Sequence, residues 1–505
     1  MEKRMHILME YVSLLKEKRE LIETNISEQE ENKNIRAVSF NSMDVKYGTL
    51  FICKGIHFSP DYLKGAIRAG ACAYISEEKY DISDLEETVP YILVKDIRKA
   101  MAYVSDYFYN HVWKELYIAG ITGTKGKSTT AYFMKYILDD FMKMQRKPRT
   151  AIISGIDNYD GVINEESHLT TPEALELHKH FHNAARSDIE YVSMEVSSQA
   201  LKYNRVLGIV FDVGCFLNIG EDHISDIEHH DFEDYLSSKL LLFKQCNVAC
   251  VNIETQHKDR VLAAAKADCP RVVTFGYTPD ADIYGYDIVM GNKDITFRVK
   301  CDSFDSEFKI SMHGLFNVEN ALAAIAMCYA LNIPLANVKN GLKKAQVSGR
   351  MEIYTSHTKD LNVIVDYAHN KMSFESLFTS MQKEFPGKKI SIVFGCPGKK
   401  ALGRRRELGE IAGKYSNRVF ITEEDAGEEP VMKICEEIAK HVTKQDCACS
   451  IIVDREQAIK EAIETADEDT IVLITGKGRE TRQKRGTKYI DTRSDVEYVK
   501  EFLEK

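Results

Sequence analysis

Short apolar runs alternate with stretches of helical periodicity along nearly the whole chain, and this pattern divides it into three units. In the first, residues 1–112, an amphipathic opening helix precedes a strand near Ala37–Phe40. A strand–helix–strand passage follows from Thr49 to Ile75, then a short strand at Ile92-Leu93-Val94 and a helix near Ile97–Asn110. The second unit, 113–347, opens with an apolar run from Leu116 to Ala119 and a helical stretch from Ser128 to Met142. Strands are expected at Tyr191–Val196, Val210–Ile219 and Val248–Ile253, with helices at Phe232–Phe243 and Val318–Leu331 and a polar, strand-rich insert from about Thr274 to Ser311. The third unit, 348–505, alternates most clearly. Strands at Ile390–Phe394, Arg418–Thr422, Ser450–Val453 and Thr470–Thr475 enclose helices at Gly403–Tyr415, Pro430–His441 and Arg455–Thr465. Such alternation predicts a parallel sheet with helices on both faces, where ligands bind at the carboxyl ends of the strands.

Length agrees with this division, since 505 residues exceed one hydrophobic core. An apolar share of 44% and a charged share of 29% are those of a soluble globular protein. The net charge of −10 gives no basic footprint for nucleic acid or an anionic membrane. Twelve cysteines fall without paired spacing, which predicts reduced, mostly buried thiols. With no signal peptide and no apolar span of about 18 residues, the expected setting is the cytoplasm, without membrane insertion.

The segment between the first predicted strand and helix of the second unit carries the chemistry. Gly123-Thr124-Lys125-Gly126-Lys127-Ser128-Thr129 joins a buried strand to a helix N-terminus, the geometry in which backbone N–H groups cradle phosphates. Lys127 would reach the terminal phosphates and the Ser128 hydroxyl would sit on Mg²⁺. The strict pattern wants glycine at position 121, where this chain has Ile121 between Gly120 and Gly123. An ATP site of this kind fits motors, kinases, switches and ligases alike. Three further segments narrow the choice: Glu195 at the end of a buried strand, His223 at the end of the next, and Lys239 on an otherwise apolar helix face.

Together with Asn41-Ser42, Gly48–Phe51, Leu169–Pro172, Gly314–Asn320, Gly349–Glu352, Val365–His369 and Gly476–Glu480, these segments resemble the Mur ligases, the ATP-dependent amino-acid-adding enzymes of peptidoglycan synthesis. The match spans nearly the whole chain and is strongest to the branch that adds the third residue. It implies an α/β protein of three domains: an N-terminal uridine-binding domain, a central P-loop ATPase-like parallel-sheet domain and a C-terminal Rossmann-like domain.

The resemblance also implies roles. Ser42 would contact the uridine end of UDP-MurNAc-L-Ala-D-Glu, while Thr170, Thr171, Ser197, Arg205 and His369 would hold its sugar and peptide. Asn317 and Asn320 would contact adenine, and Arg350 and Asp366 would close over phosphate and ribose. Lys239 matches a lysine carbamylated by CO₂, which with Ser128, Glu195 and His223 would help hold two Mg²⁺ ions. Arg405 matches an arginine that grips the α-carboxylate of the incoming amino acid. Glu480, with Gly476, Glu424 and Asp425, would meet its amines.

Diaminopimelate-adding relatives carry Asp-Asn-Pro-Arg in the loop that here reads Glu424-Asp425-Ala426-Gly427, followed by Glu428 and Glu429. Glycine stands where their arginine binds the distal carboxylate. An acidic loop suits L-lysine or ornithine better than a dicarboxylate, and Lys125, Gln199 and Asp222–His229 resemble the lysine-adding branch. Diaminopimelate, a folylpolyglutamate-type ligase and an inactive nucleotide-binding paralogue stay open as alternatives. A monomer is expected.

Overall fold

The computed structural model describes residues 6–55, 58–222, 224–225, 228–291, 294–356, 361–400 and 402–504. Three principal sheets follow one another along the chain. The first has five strands in the order Leu21–Thr24, Tyr91–Val94, Ala71–Ser76, Thr49–Ile52 and Ala37–Ser39. All neighbours run parallel except Leu21–Thr24, which lies antiparallel to Tyr91–Val94. Sequence periodicity misses that edge strand because two of its four residues are exposed and none is fully buried.

The central sheet has eleven strands. Its parallel core runs in the order Ala151–Ile153, Tyr191–Glu195, Tyr117–Thr122, Phe211–Phe216, Cys246–Asn252, Arg271–Gly276 and Ile283–Met290. The expected polar insert supplies an antiparallel margin, Ile295–Lys300 and Asp305–Ile310. Helices Lys127–Met144 and Phe316–Ala330 cover one face, burying Phe133, Ile137, Leu322 and Ile325 against Ile121, Val213 and Phe275. The second face packs Phe181, Phe216, Tyr235 and Phe243. With both faces covered, the parallel strands read as continuous apolar runs.

The third sheet is ordered Glu352–Thr355, Asn362–Asp366, Thr470–Thr475, Lys389–Phe394, Arg418–Ile421 and Ala448–Ile451, parallel except at its first strand. The fold is α/β throughout. All twelve cysteines are unpaired thiols. Among the described residues no helix is long and apolar enough to cross a membrane.

Candidate active site

Strand Tyr117–Thr122 lies in the middle of the central sheet and delivers its carboxyl end to the loop Gly123–Gly126. Gly126 adopts φ +83° and caps helix Lys127–Met144. A Cβ there would overlap Asn320 Oδ1, so glycine is required both by backbone conformation and by contact. Asn218 fixes the loop from outside: its Oδ1 accepts from Lys125 N at 2.9 Å and its Nδ2 donates to Lys125 O at 3.3 Å. Thr124 Oγ1 accepts from Gly220 N at 3.1 Å and lies 3.1 Å from the Tyr235 hydroxyl.

Two lysines converge on one carbonyl in this loop. Lys127 Nζ donates to Gly123 O at 3.0 Å, and Lys239 Nζ donates to the same oxygen at 2.9 Å. Lys239 is 1% exposed and sits 4.6 Å from the Tyr235 ring centroid. Burial, with the Lys127 ammonium beside it, drives the Lys239 amine well below its ordinary value. Lys127 is also lowered by burial, against the pull of Glu195 and Asp222.

Glu195 ends strand Tyr191–Glu195, in register with Ile121 one strand away. It is 2% exposed, and its Oε1 accepts from Gly155 N at 2.7 Å. Thr171 Oγ1 donates to Glu195 O at 3.0 Å and accepts from Ser197 N at 3.0 Å. Arg205 Nη1 donates to Thr171 O at 3.0 Å and its Nη2 pairs with Glu173 at 3.1 Å, so Thr171, Ser197 and Arg205 form one bonded group.

The third sheet supplies the opposite wall. Asp366 ends its strand and accepts from Met351 N at 3.0 Å and Ala368 N at 2.8 Å, while burial raises its carboxyl. The Arg350 guanidinium stacks on the Tyr367 ring at 4.2 Å. His369 Nε2 lies 3.4 Å from Lys125 Nζ. Burial takes Lys125 down to about 7 and holds His369 well below its usual range.

These surfaces enclose a cavity of about 510 Å³. Residues 124–129, Thr170, Glu195, Asn320, Arg350, Asp366 and His369 line it, so most of the expected nucleotide-site residues share one space. Asn317 stands one layer behind, its Nδ2 bonded to His313 O and its Oδ1 accepting from Asn320. A second cavity, about 320 Å³, is lined by Glu165, Glu166, Lys477, Arg479 and Glu480. Gly155, Arg350 and Tyr367 line both.

The second cavity is lined by four acidic residues, Asp157, Glu165, Glu166 and Glu480, and by three cations, Arg350, Lys477 and Arg479. Lys477 Nζ pairs with Asp425 at 3.0 Å and Glu480 at 2.7 Å. Tyr367 donates its hydroxyl to Glu480. Glu424 is buried, with Oε2 lacking any hydrogen-bond partner among the described residues, and burial lifts its carboxyl to about 7. A Cβ on Gly476, at φ +105°, would run into that oxygen.

Ser42 and Arg405, both expected in the site, line neither cavity. Ser42 begins a single turn, Ser42–Asp44, on the first unit. His223 lies outside the described residues. Arg405 is 3% exposed and committed to Glu429 in a two-pronged pair, 2.9 and 2.7 Å, and to Glu437 at 2.6 Å. Holding an incoming carboxylate would require it to release Glu429. A run of three arginines does not reveal which of them faces which acid. Asn218, Gly155 and Tyr367 were not expected as site residues; only their positions at strand ends and beside the phosphate loop could have suggested them.

Residues 121–328 match the Mur ligase middle domain, and residues 349–478 match the Mur ligase glutamate ligase domain. A UDP-N-acetylmuramyl-tripeptide synthetase from Lactobacillus delbrueckii subsp. bulgaricus is 37% identical over 89% of this chain and 90% of its own. The chain belongs to the Mur ligase family. A second relative, the UDP-N-acetylmuramoyl-L-alanyl-D-glutamate–L-lysine ligase of Streptococcus thermophilus, is 37% identical over 92% of both chains. The solved structure of a UDP-N-acetylmuramoyl-L-alanyl-D-glutamate–2,6-diaminopimelate ligase superposes with a TM-score of 0.65, covering 95% of this Mur ligase and 97% of that chain at 24% identity. That likeness is one of fold.

Proposed function

We propose that this Mur ligase adds L-lysine to the D-Glu of UDP-MurNAc-L-Ala-D-Glu at the expense of ATP. The observation that carries the reading is the junction of the two cavities at Gly155, Arg350 and Tyr367. Phosphates on the loop and an amine among Glu424, Asp425 and Glu480 would meet there. The acceptor γ-carboxylate would attack the γ-phosphate of ATP, giving an acyl phosphate and ADP. The lysine α-amine would then displace phosphate and form the peptide bond. Lys127 offsets charge on the phosphates, and Arg350 lies where a guanidinium can follow charge developing between the cavities. Thr170, Thr171, Ser197, Arg205 and His369 are assigned to the acceptor, Asn317, Asn320 and Asp366 to the nucleoside, and Ser42 to uridine. Domain boundaries are proposed at 112/113 and 347/348, and the working form as a cytoplasmic monomer.

The residues present suit Mg²⁺, which prefers oxygen donors. Ser128 and Glu195 line the nucleotide cavity, and Lys239 beside it is driven toward the neutral amine, the form that adds CO₂. Ser128, Glu195, His223 and carbamylated Lys239 would hold two ions, which would neutralise phosphate charge. Labelled bicarbonate should therefore give a carbamate carbon signal that disappears in Lys239→Ala. That variant should lose most activity and regain part of it with formate. A parent enzyme without the signal would refute the carbamate.

Glu424 gives a pH dependence. A carboxylate partner is needed for the lysine side-chain ammonium, and burial pushes this carboxyl up to about 7. Below that pH it is protonated, so kcat/KM for lysine should fall on the acid side and level off above. Glu424→Gln should remove that limb and raise KM throughout. An unchanged profile would exclude Glu424 as the partner. Phosphate release that requires both the acceptor and an amino acid tests the reaction itself. An inactive paralogue would show none.

A further inference from the structure

Asp222 stands at the seam between the central and third sheets, and its carboxylate bonds across that seam. Arg404 Nη2 donates to Asp222 Oδ1 at 2.6 Å, and Asn370 Nδ2 donates to Oδ2. The Asp222 side chain is 2% exposed and that of Arg404 13%, so the pair is largely desolvated and losing one partner is costly. Arg404 lies in the first turn of helix Gly403–Tyr415. Asn370 caps helix Lys371–Glu384, accepting from Ser373 N at 3.1 Å. One carboxylate of the central unit thus grips the leading ends of two helices of the third.

The neighbouring contacts follow the same seam. Lys125 Nζ lies 3.8 Å from Asp222 and 3.4 Å from His369. Met372 packs so closely on Gly220 that a Cβ there would overlap the methionine methyl. An apolar contact alone tolerates sliding, whereas two directed bonds to one buried carboxylate set both distance and orientation. Asp222 lines neither cavity, while residues on either side of Asn370 do: Ala368, His369, Met372 and Ser373 all face the nucleotide space.

We propose that Asp222 is a positioning residue for the ligase reaction: by clamping Arg404 and Asn370 it holds Arg350, Asp366 and His369 over the phosphate loop. The proposal rests on the phosphate-loop reading above. Without the clamp the third unit would still fold and the central unit would still offer its loop, but the two cavities would seldom be joined.

Three variants of the full chain test this. Asn370→Asp keeps the helix cap, since aspartate caps as well as asparagine, but sets a second carboxylate against Asp222. Arg404→Ala removes the cross-seam cation, and Arg404→Lys keeps one. Asn370→Asp and Arg404→Ala should each lose about tenfold or more in kcat. With a non-hydrolysable ATP analogue they should scatter X-rays as a more extended particle than the parent. Asn370→Asp should melt within a few degrees of the parent, and Arg404→Lys should recover both activity and compactness. Should either effect on Arg404→Ala come from misfolding, Asn370→Asp decides. The proposal is overturned if Asn370→Asp stays as compact as the parent or keeps its kcat within about twofold. Scattering needs neither acceptor nor amino acid, so it remains readable if the substrate assignment fails.

Discussion

Lys127→Ala lowers turnover about a thousandfold and leaves the fold intact, measured as ADP formation and as thermal melting of the purified variant. Lys127 Nζ is bonded to Gly123 O and Thr124 O, carbonyls of its own loop. In the reaction it faces the terminal phosphates of ATP, which a carboxylate must approach although both are anions. Burial has already lowered the lysine from its ordinary value, and anionic phosphates would raise it again on arrival. Near-normal ADP formation by the variant would mean that these residues do not hold the reacting phosphates.

The second large effect is on substrate choice. Specificity for L-lysine over meso-diaminopimelate should be about a hundredfold or more in kcat/KM, measured with each amino acid separately. The two differ by one distal carboxylate. In the second cavity that group would meet Glu165, Glu166 and Glu480, and the cations there are engaged: Lys477 with Asp425 and Glu480, Arg479 with Glu352, and Arg350 over the Tyr367 ring. Glu428 and Glu429, which the sequence placed in the same acidic loop, have other partners. Glu428 pairs with Lys399 and Glu429 with Arg405. Gly427→Arg should narrow the preference only slightly. Gly427 sits at φ +58°, where an L-residue is strained, and its backbone is bonded to Lys484 O and Gly486 N. Faster incorporation of diaminopimelate would show that another residue supplies its carboxylate partner.

Much of this was legible in the chain because the chemistry lies at strand ends. The phosphate loop and Glu195 each follow a buried run whose periodicity is plain, so their placement at one end of the central sheet follows from parallel topology. What the sequence left open depends on contacts between distant segments. The Gly123 carbonyl shared by Lys127 and Lys239 joins residues 116 apart. Arg405 and Arg404 are adjacent in sequence, yet one pairs within the third unit and the other crosses to Asp222, because successive helix positions face different neighbours. Edge strands such as Leu21–Thr24 and Asn164–Glu166 carry too few buried residues to give a period.

The most direct measurement gives the enzyme UDP-MurNAc-L-Ala-D-Glu, ATP and equal amounts of L-lysine, L-ornithine and meso-diaminopimelate, and reads the nucleotide-sugar product by mass spectrometry while ADP is counted. One product, extended by a single lysine and formed in step with ADP, is the expected result. A product carrying diaminopimelate would contradict the amino-acid site, and ADP formation indifferent to the acceptor would contradict the ligase itself.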